Sequence, residues 1–205
     1  MRQNKPFPQK PNVLILCEGK TEVKYITSFI ECDEDRRRNL KRVTVIYQPK
    51  IYSPKGLLEE AKKRIREERG RNGIPFQEVY IVFDKDQHPS IPQTFKEAKE
   101  FNPEIKIAYS AICFEYWILL HFESTSTPFL DCDKIMSYII KNHFPKYHKT
   151  DFPFDELKNK IETAKENSRK LRDLKQKDID NGITKIEEYG SYTDVHLLLE
   201  FLENL

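Results

Sequence analysis

The sequence lacks four features that would each point to a different class of protein. Its longest apolar stretch, Tyr116 to Phe122, contains His121 and is far too short to cross a bilayer. The four cysteines include no CxxC pair and no histidine at zinc spacing, which argues against a zinc site. The net charge is only +2, so overall charge does not identify a nucleic-acid-binding protein. No internal repeat or low-complexity segment is visible.

A nucleotide-binding loop is also missing, although Gly19-Lys20-Thr21 resembles the end of one. The earlier glycine that such a loop requires is absent from the apolar run before it. No apolar run follows the basic residues of the N-terminus before Val13. We therefore expect neither a signal peptide nor a membrane anchor, and we expect the protein to be cytoplasmic. We also expect Cys17 and Cys113 to be buried thiols in a reducing compartment.

The order of apolar and amphipathic runs predicts an α/β fold. The predicted strands cover residues 12–17, 42–48, 78–83 and 104–110. The predicted helices cover residues 21–30, 53–69, 95–101, 113–122, 131–144, 154–177 and 193–205. Alternating strands and helices with long connections predict a mostly parallel four-stranded sheet flanked by helices on both faces. We divide the chain into an N-terminal arm (1–11), this α/β core (12–125) and a C-terminal helical elaboration packed on the core (126–205).

Two short acidic clusters stand where apolar strands end. Glu18 and Glu22 follow the first strand, and Asp84 and Asp86 follow the third. A parallel sheet gathers the carboxyl ends of its strands at one edge, where open α/β folds bind ligands. If the two strands are neighbours, the four acids converge at that edge. Hard oxygen ligands suit Mg²⁺ or Mn²⁺, so the sequence predicts a divalent-metal site.

The spacing within each cluster supports this prediction. Asp84 and Asp86 would project to the same side if the chain stayed extended. Glu22, in a first helical turn, would look back toward Glu18. A second interpretation stays open, in which Glu22 only interacts favourably with the helix dipole and Asp84 only caps or terminates its strand. Basic stretches over 36–42, 62–71 and 165–177 could track a phosphate backbone, but the acids among them also fit solvated helix faces.

These residues resemble the Toprim domain, a metal-binding catalytic fold of topoisomerases, primases and several nucleases. More narrowly, the chain resembles the RloB-like family, which is related to Toprim nucleases of the OLD type. The segments that carry the resemblance are NVLILCEGKTE at 12–22, VYIVFDKDQH at 79–88, FEYWILLHF at 114–122 and YTDVHLL at 192–198. The resemblance implies a Toprim-like α/β fold for the core.

The resemblance also implies a function. It implies metal-dependent cleavage of nucleic acid, with DNA favoured over RNA, and association with an AAA- or ABC-type ATPase in anti-phage defence. Glu18 would perform acid/base work, Asp84 and Asp86 would hold the metal, and Glu22 would serve a second ion. Two alternative functions stay open: a non-cleaving regulatory or interaction subunit that binds metal or nucleotide, and an RNA-directed Toprim nuclease. The chain could also form a homo-oligomer.

Glu115 and Lys149 are further catalytic candidates. Glu115 and His121 lie in one apolar helix but cannot share a face, so we favour Glu115 at the site and interpret His121 as a core histidine. Lys149 could offer a cation to a transition-state phosphate, and a solvated surface lysine is the alternative. The residues beside the acids that we assign to nucleic-acid contact are Lys20, Lys85 and His88.

Overall fold

The computed structural model describes residues 11–47, 49, 51, 53–70, 74–86, 88–180 and 190–205, so most of the predicted N-terminal arm lies outside the described residues. Its strands are β1 (Val13–Cys17), β2 (Val43–Tyr47), β3 (Glu78–Asp84), β4 (Lys106–Ala111) and β5 (Tyr192–Thr193). In the described part of the chain they form one sheet in the order β2-β1-β3-β4-β5. The first four strands are parallel, and β5 is antiparallel to β4.

Helices cover both faces of this sheet. They are α1 (Lys20–Glu31), α2 (Glu34–Asn39), α3 (Pro54–Gly70), α4 (Ile91–Glu100), α5 (Glu115–Leu119), α6 (Cys132–Asn142), α7 (Asp155–Lys158), α8 (Ile161–Asp180) and α9 (Val195–Glu203). Among the residues with described positions, none of these helices combines the length and the apolar character that a membrane span requires.

Strand β1 is buried along its whole length because it contributes to two apolar cores. Val13, Ile15 and Cys17 pack with α1, α5 and the C-terminal helices on one face of the sheet. Leu14 and Leu16 pack with α3 and α4 on the other face. Since successive strand side chains point to opposite faces, an unbroken apolar strand needs cover on both sides. The prediction of a mostly parallel sheet with helices on both faces is confirmed.

The described sheet has five strands, whereas we predicted four. The additional strand β5 overlaps the predicted last helix (193–205) only at Thr193, and it pairs with β4 through Ser110↔Thr193 and Ala111↔Tyr192. The hydroxyl groups of Ser110 and Thr193 are 3.0 Å apart and hydrogen-bonded. Two residues carry no measurable periodicity, so no pattern in the sequence marks this strand.

Two helical assignments were also wrong. Helix α2 was not predicted, because it is short, charged and has no buried side chain; the Asp33 carboxylate caps it by accepting a hydrogen bond from the Arg36 backbone N–H at 2.7 Å. The helix predicted over 154–177 is divided into α7 and α8. Leu157 and Ile161 lie on either side of the break and are both buried, so the apolar pattern continues across it.

The cysteines were predicted in part. Cys17 is a buried free thiol, as expected. Cys113 is buried but forms a disulfide with Cys132, across a Cα–Cα distance of 5.8 Å. The sequence could not indicate this pair, because its two members come together only through the packing of α6 against α5.

Candidate metal centre

The two acidic clusters meet at the carboxyl edge of the sheet. Strands β1 and β3 are hydrogen-bonded neighbours with Cys17 opposite Val82, so the residues that follow them emerge side by side. The Glu18 backbone N–H donates to the Val82 carbonyl at 3.0 Å. In return, the Asp84 backbone N–H donates to the Glu18 carboxylate at 3.3 Å. The pairing of two core strands therefore fixes Glu18 against the start of the second cluster.

An open cavity of about 330 Å³ lies at this edge of the sheet. Five acidic side chains from three separate segments line it, together with two lysines. The lining residues are Glu18, Gly19, Lys20, Thr21, Glu22, Asp84, Asp86, Phe114, Glu115, Lys149 and Thr150. All four acids that we predicted to converge are present, together with Glu115 and Lys149.

Asp84 occupies the floor of this cavity. Its Oδ1 atom is buried and accepts no hydrogen bond from any described residue. Burial, followed by the nearby Glu22 and Glu115 carboxylates, raises the pKa of Asp84 well above its usual value. A buried carboxylate oxygen without a donor is costly unless a proton or a cation satisfies it. Either a proton or a cation would satisfy Oδ1 of Asp84.

Glu22 lies in the first turn of α1 and is only 3% exposed. Burial, and then the charges of Glu115 and Glu18, raise its pKa to about 7. The Glu22 carboxylate can occupy its place because residue 19 is glycine: a Cβ atom on residue 19 would collide with that carboxylate. The glycine is therefore needed for close approach and not for an unusual backbone angle, since its φ is −122°.

Glu18 and His88 form a hydrogen-bonded pair beside the cavity. His88 Nε2 lies 3.1 Å from Glu18 Oε1, and both side chains are mostly buried. Burial raises the pKa of Glu18, and the Asp84 backbone N–H and His88 partly oppose this effect. His88, which we assigned to nucleic-acid contact, thus lies where it can orient the carboxylate of Glu18.

Glu115 begins α5 and is 2% exposed. Burial raises its pKa, with the positive charge of Lys149 and a hydrogen bond from Tyr147 acting against the rise. The Tyr147 hydroxyl donates to Glu115 Oε1 at 3.2 Å, and Lys149 Nζ lies 3.9 Å from the same oxygen. Tyr147 was not singled out from the sequence, because its irregular segment has no periodicity that would indicate contact with α5.

Asp86 reaches the cavity in a different way from the one we predicted. The chain is not extended there: β3 ends at Asp84, and Asp86 has a left-handed φ of 32°. Aspartate is one of the few non-glycine residues found with such a backbone angle. Lys85, between the two acids, lines a neighbouring cavity of about 500 Å³ that also includes Asp86 and Cys132.

His121 is part of the core, as we interpreted it. It is 1% exposed and is held between the Tyr25 hydroxyl at 2.9 Å from Nε2 and the Trp117 carbonyl at 3.0 Å from Nδ1. Burial lowers its pKa to about 4. With both ring nitrogens in contact with protein groups, His121 has no role at the cavity.

The molecule is an α/β protein with a cavity rich in carboxylates at the carboxyl edge of a mostly parallel sheet. A family model described as RloB-like protein matches residues 13–202, and the chain belongs to the RloB-like family. The matched range includes both acidic clusters, Glu115 and Lys149. No curated protein and no solved structure matches the chain.

We expect Glu22→Gln to stabilise the metal-free protein by an amount that grows between about pH 4.5 and about pH 7. Over this range the folded parent keeps a proton on Glu22 that the unfolded chain has released, so the parent loses stability as pH rises. The rise in pKa from 4.5 to about 7 corresponds to at most about 3 kcal/mol.

Urea unfolding in the presence of a chelator measures this difference in the free energy of unfolding. Glu31→Gln, which changes an exposed acid at the end of the same helix, is the matched control. A stability difference between Glu22→Gln and the parent that does not vary with pH would contradict the protonated state of Glu22.

Proposed function

We propose that this chain is a Toprim-type nuclease subunit that hydrolyses phosphodiester bonds of nucleic acid with Mg²⁺ or Mn²⁺. The observation that carries the proposal is the cavity at the sheet edge, where four other carboxylates accompany Asp84, whose buried Oδ1 accepts no hydrogen bond from the described residues. In an acid cluster with a purely structural role, each carboxylate would be expected to pair with a cationic side chain of the protein. Here the carboxylates raise one another's pKa values, which is the arrangement that a divalent cation relieves.

The donor set fits a hard cation. Asp84 and Asp86 would hold it, with Glu18 and Glu22 completing an all-oxygen shell or serving a second ion. When bound, such an ion lowers the pKa of its water and neutralises charge on the leaving oxygen. Glu18 is suited to moving a proton at Oε1, because burial raises its pKa and His88 contacts that atom.

Lys149 is suited to binding the scissile phosphate. Its Nζ lies at the cavity, 3.9 Å from Glu115 Oε1, and its side chain is 44% exposed. The lysine can therefore meet an incoming phosphate from solvent while its Nζ stays near Glu115. In our proposal, Glu115 and Tyr147 orient this charge, and Lys149 stabilises the negative charge that develops on the phosphoryl oxygens.

A second groove continues from the cavity along α1 and provides a path for the nucleic-acid chain. It has a volume of about 390 Å³ and shares Lys20 with the acidic cavity. Its lining residues are Lys20, Val23, Lys24, Thr27, Ser28 and Tyr47. Lysines beside a half-buried aromatic ring suit a single strand, whose phosphates are attracted to the cations while a base stacks on the open face of the ring.

A non-cleaving subunit that binds metal or nucleotide is the second candidate. The net charge of +2 favours it, because a strong basic excess is a usual electrostatic sign of a nucleic-acid-binding domain. The proposed nuclease is expected to act in anti-phage defence together with an AAA- or ABC-type ATPase. Cleavage assays with and without such a partner, on DNA and on RNA, separate the two candidates; metal binding without cleavage under every condition would favour the second.

We expect Asp84→Asn combined with Asp86→Asn to lower Mn²⁺-dependent cleavage at least about a hundredfold, because several kcal/mol of charge stabilisation is lost. Both changes preserve side-chain size, and asparagine tolerates the left-handed backbone at position 86. The thermal midpoint should not fall, since two carboxylates that repel the other acids of the cluster are removed. Asp133→Asn, at an exposed acid in the first turn of α6, is the control. Undiminished cleavage by the double variant would refute the site.

We expect Gly19→Ala to weaken Mn²⁺ binding about tenfold while leaving the fold intact. The added Cβ would strike the Glu22 carboxylate, which is the free end of a flexible side chain and can move without the backbone. Gly70→Ala is the matched control, because a Cβ there meets no atom within 4 Å. Titration calorimetry with Mn²⁺ measures the effect, and equal affinities for the two variants would contradict the assigned position of Glu22.

We expect Lys20→Gln combined with Lys24→Gln to weaken binding of single-stranded DNA to the cleavage-deficient Asp84/Asp86 variant. Each lost phosphate contact should reduce the slope of log affinity against log salt by about 0.7. Lys63→Gln with Lys99→Gln changes two exposed lysines on helices of the opposite face and serves as the control. An unchanged salt slope would exclude the groove along α1 as the path of the strand.

A further inference from the structure

The Cys113–Cys132 disulfide lies directly beside Glu115 and Lys149. Cys113 precedes α5, which begins with Glu115, and Cys132 is the first residue of α6. Cys132 Sγ lies 3.0 Å from Glu115 Oε2 and 3.5 Å from Lys149 Nζ. The disulfide therefore links the segment before α5 to the start of α6, next to the candidate catalytic residues Glu115 and Lys149.

The two sulfur atoms differ in accessibility. Cys113 is 2% exposed and packs within the larger apolar core. Cys132 is only partly buried and lines the cavity of about 500 Å³ that also contains Lys85 and Asp86. A small thiol can therefore approach Cys132 from this cavity, whereas the core blocks approach to Cys113. Thiol–disulfide exchange depends on such access to one sulfur of the bond.

We propose that Cys113 and Cys132 are a thiol–disulfide exchange site for a low-molecular-weight thiol or disulfide of the glutathione type, and that its state sets the positions of Glu115 and Lys149. The control of Glu115 and Lys149 by this bond deepens the proposed function and rests on it. Neither the acid clusters nor the groove along α1 requires a sulfur–sulfur bond at this place, so the pair has no other part in the proposed mechanism.

The exchange is balanced with glutathione as the reductant. The thiolate of one glutathione attacks Cys132 Sγ, a mixed disulfide forms there, and the bond to Cys113 breaks to leave a Cys113 thiol after protonation. A second glutathione thiolate attacks the glutathione sulfur of the mixed disulfide, which releases glutathione disulfide and a Cys132 thiol. The reverse sequence consumes one glutathione disulfide and restores the bond.

Reduction changes the surroundings of Glu115 in two ways. The bonded Cys132 sulfur has no proton to donate, whereas a Cys132 thiol can donate to Glu115 Oε2, whose partner oxygen already accepts from Tyr147. Reduction also removes the covalent link between the start of α6 and the segment before α5. We therefore expect the oxidised protein to present Glu115 and Lys149 in a fixed arrangement and the reduced protein to lose it.

The first experiment tests the exchange chemistry alone. It uses the full chain with Cys32→Ser, because Cys32 is an exposed free thiol that would itself react. In this background, Cys113→Ser should gain one glutathione on Cys132 when treated with glutathione disulfide, and Cys132→Ser should gain none on the buried Cys113. Peptide mapping by mass spectrometry reads the result. Equal modification of both variants, or of neither, would overturn the exchange site.

The second experiment compares the oxidised and the reduced protein in the same Cys32→Ser background. Mn²⁺ affinity measured by calorimetry should be about tenfold higher in the oxidised form, because Glu115 carries a charge that acts on the proposed ligands Glu22 and Asp84. The variant with Cys113→Ser and Cys132→Ser should respond to neither glutathione nor its disulfide. Equal Mn²⁺ affinities in the two forms of the parent would overturn the link to the metal site.

Amide hydrogen exchange separates failure of this inference from failure of the proposed function. If neither form binds Mn²⁺, the metal site of the proposed function fails. Faster exchange over 115–119 and 132–142 after reduction would still support control of the position of Glu115 by the disulfide. Unchanged exchange in both segments would overturn it, whatever the outcome of the metal titration.

Discussion

Electrostatic repulsion among buried carboxylates is the constraint on which this structure depends. Glu18, Glu22, Asp84 and Glu115 are withdrawn from water at one edge of the sheet, and burial raises the pKa of each. Such a cluster opposes folding at neutral pH, so the rest of the protein must supply the free energy that holds it together. Strand β1 and the apolar interior of β3, which are covered on both faces, provide that stabilisation.

The same central strands also determine the geometry of the site. Because β1 and β3 are hydrogen-bonded neighbours, a shift of register in either would separate Glu18 from Asp84 and turn buried side chains to the wrong face. Stability and the placement of the acids therefore depend on the same residue pairs. Lys149 and Tyr147 come instead from an irregular segment, where a contact can change at smaller cost to the core.

The predictable parts of the molecule were those that carry a strong local pattern. The run Val13–Cys17 followed by Glu18 indicates a buried strand ending in an acid, and this was sufficient to predict where the two clusters meet. The parts that were missed depend on long-range packing. The strand β5, the Cys113–Cys132 bond and the contact from Tyr147 to Glu115 each join segments whose own sequence has no periodic signal. The turned backbone at Asp86 was missed because aspartate is compatible with both extended and left-handed conformations.

The return of the chain from β4 to the adjacent β5 has a mechanical consequence. The segment between these two strands, which includes Glu115 and Lys149, leaves and rejoins the sheet at neighbouring positions. Glu18, Glu22, Asp84 and Asp86 lie before this segment, at the carboxyl ends of β1 and β3. Substitutions within the segment can thus displace Glu115 or Lys149 without altering the strand pairs that position the other four acids.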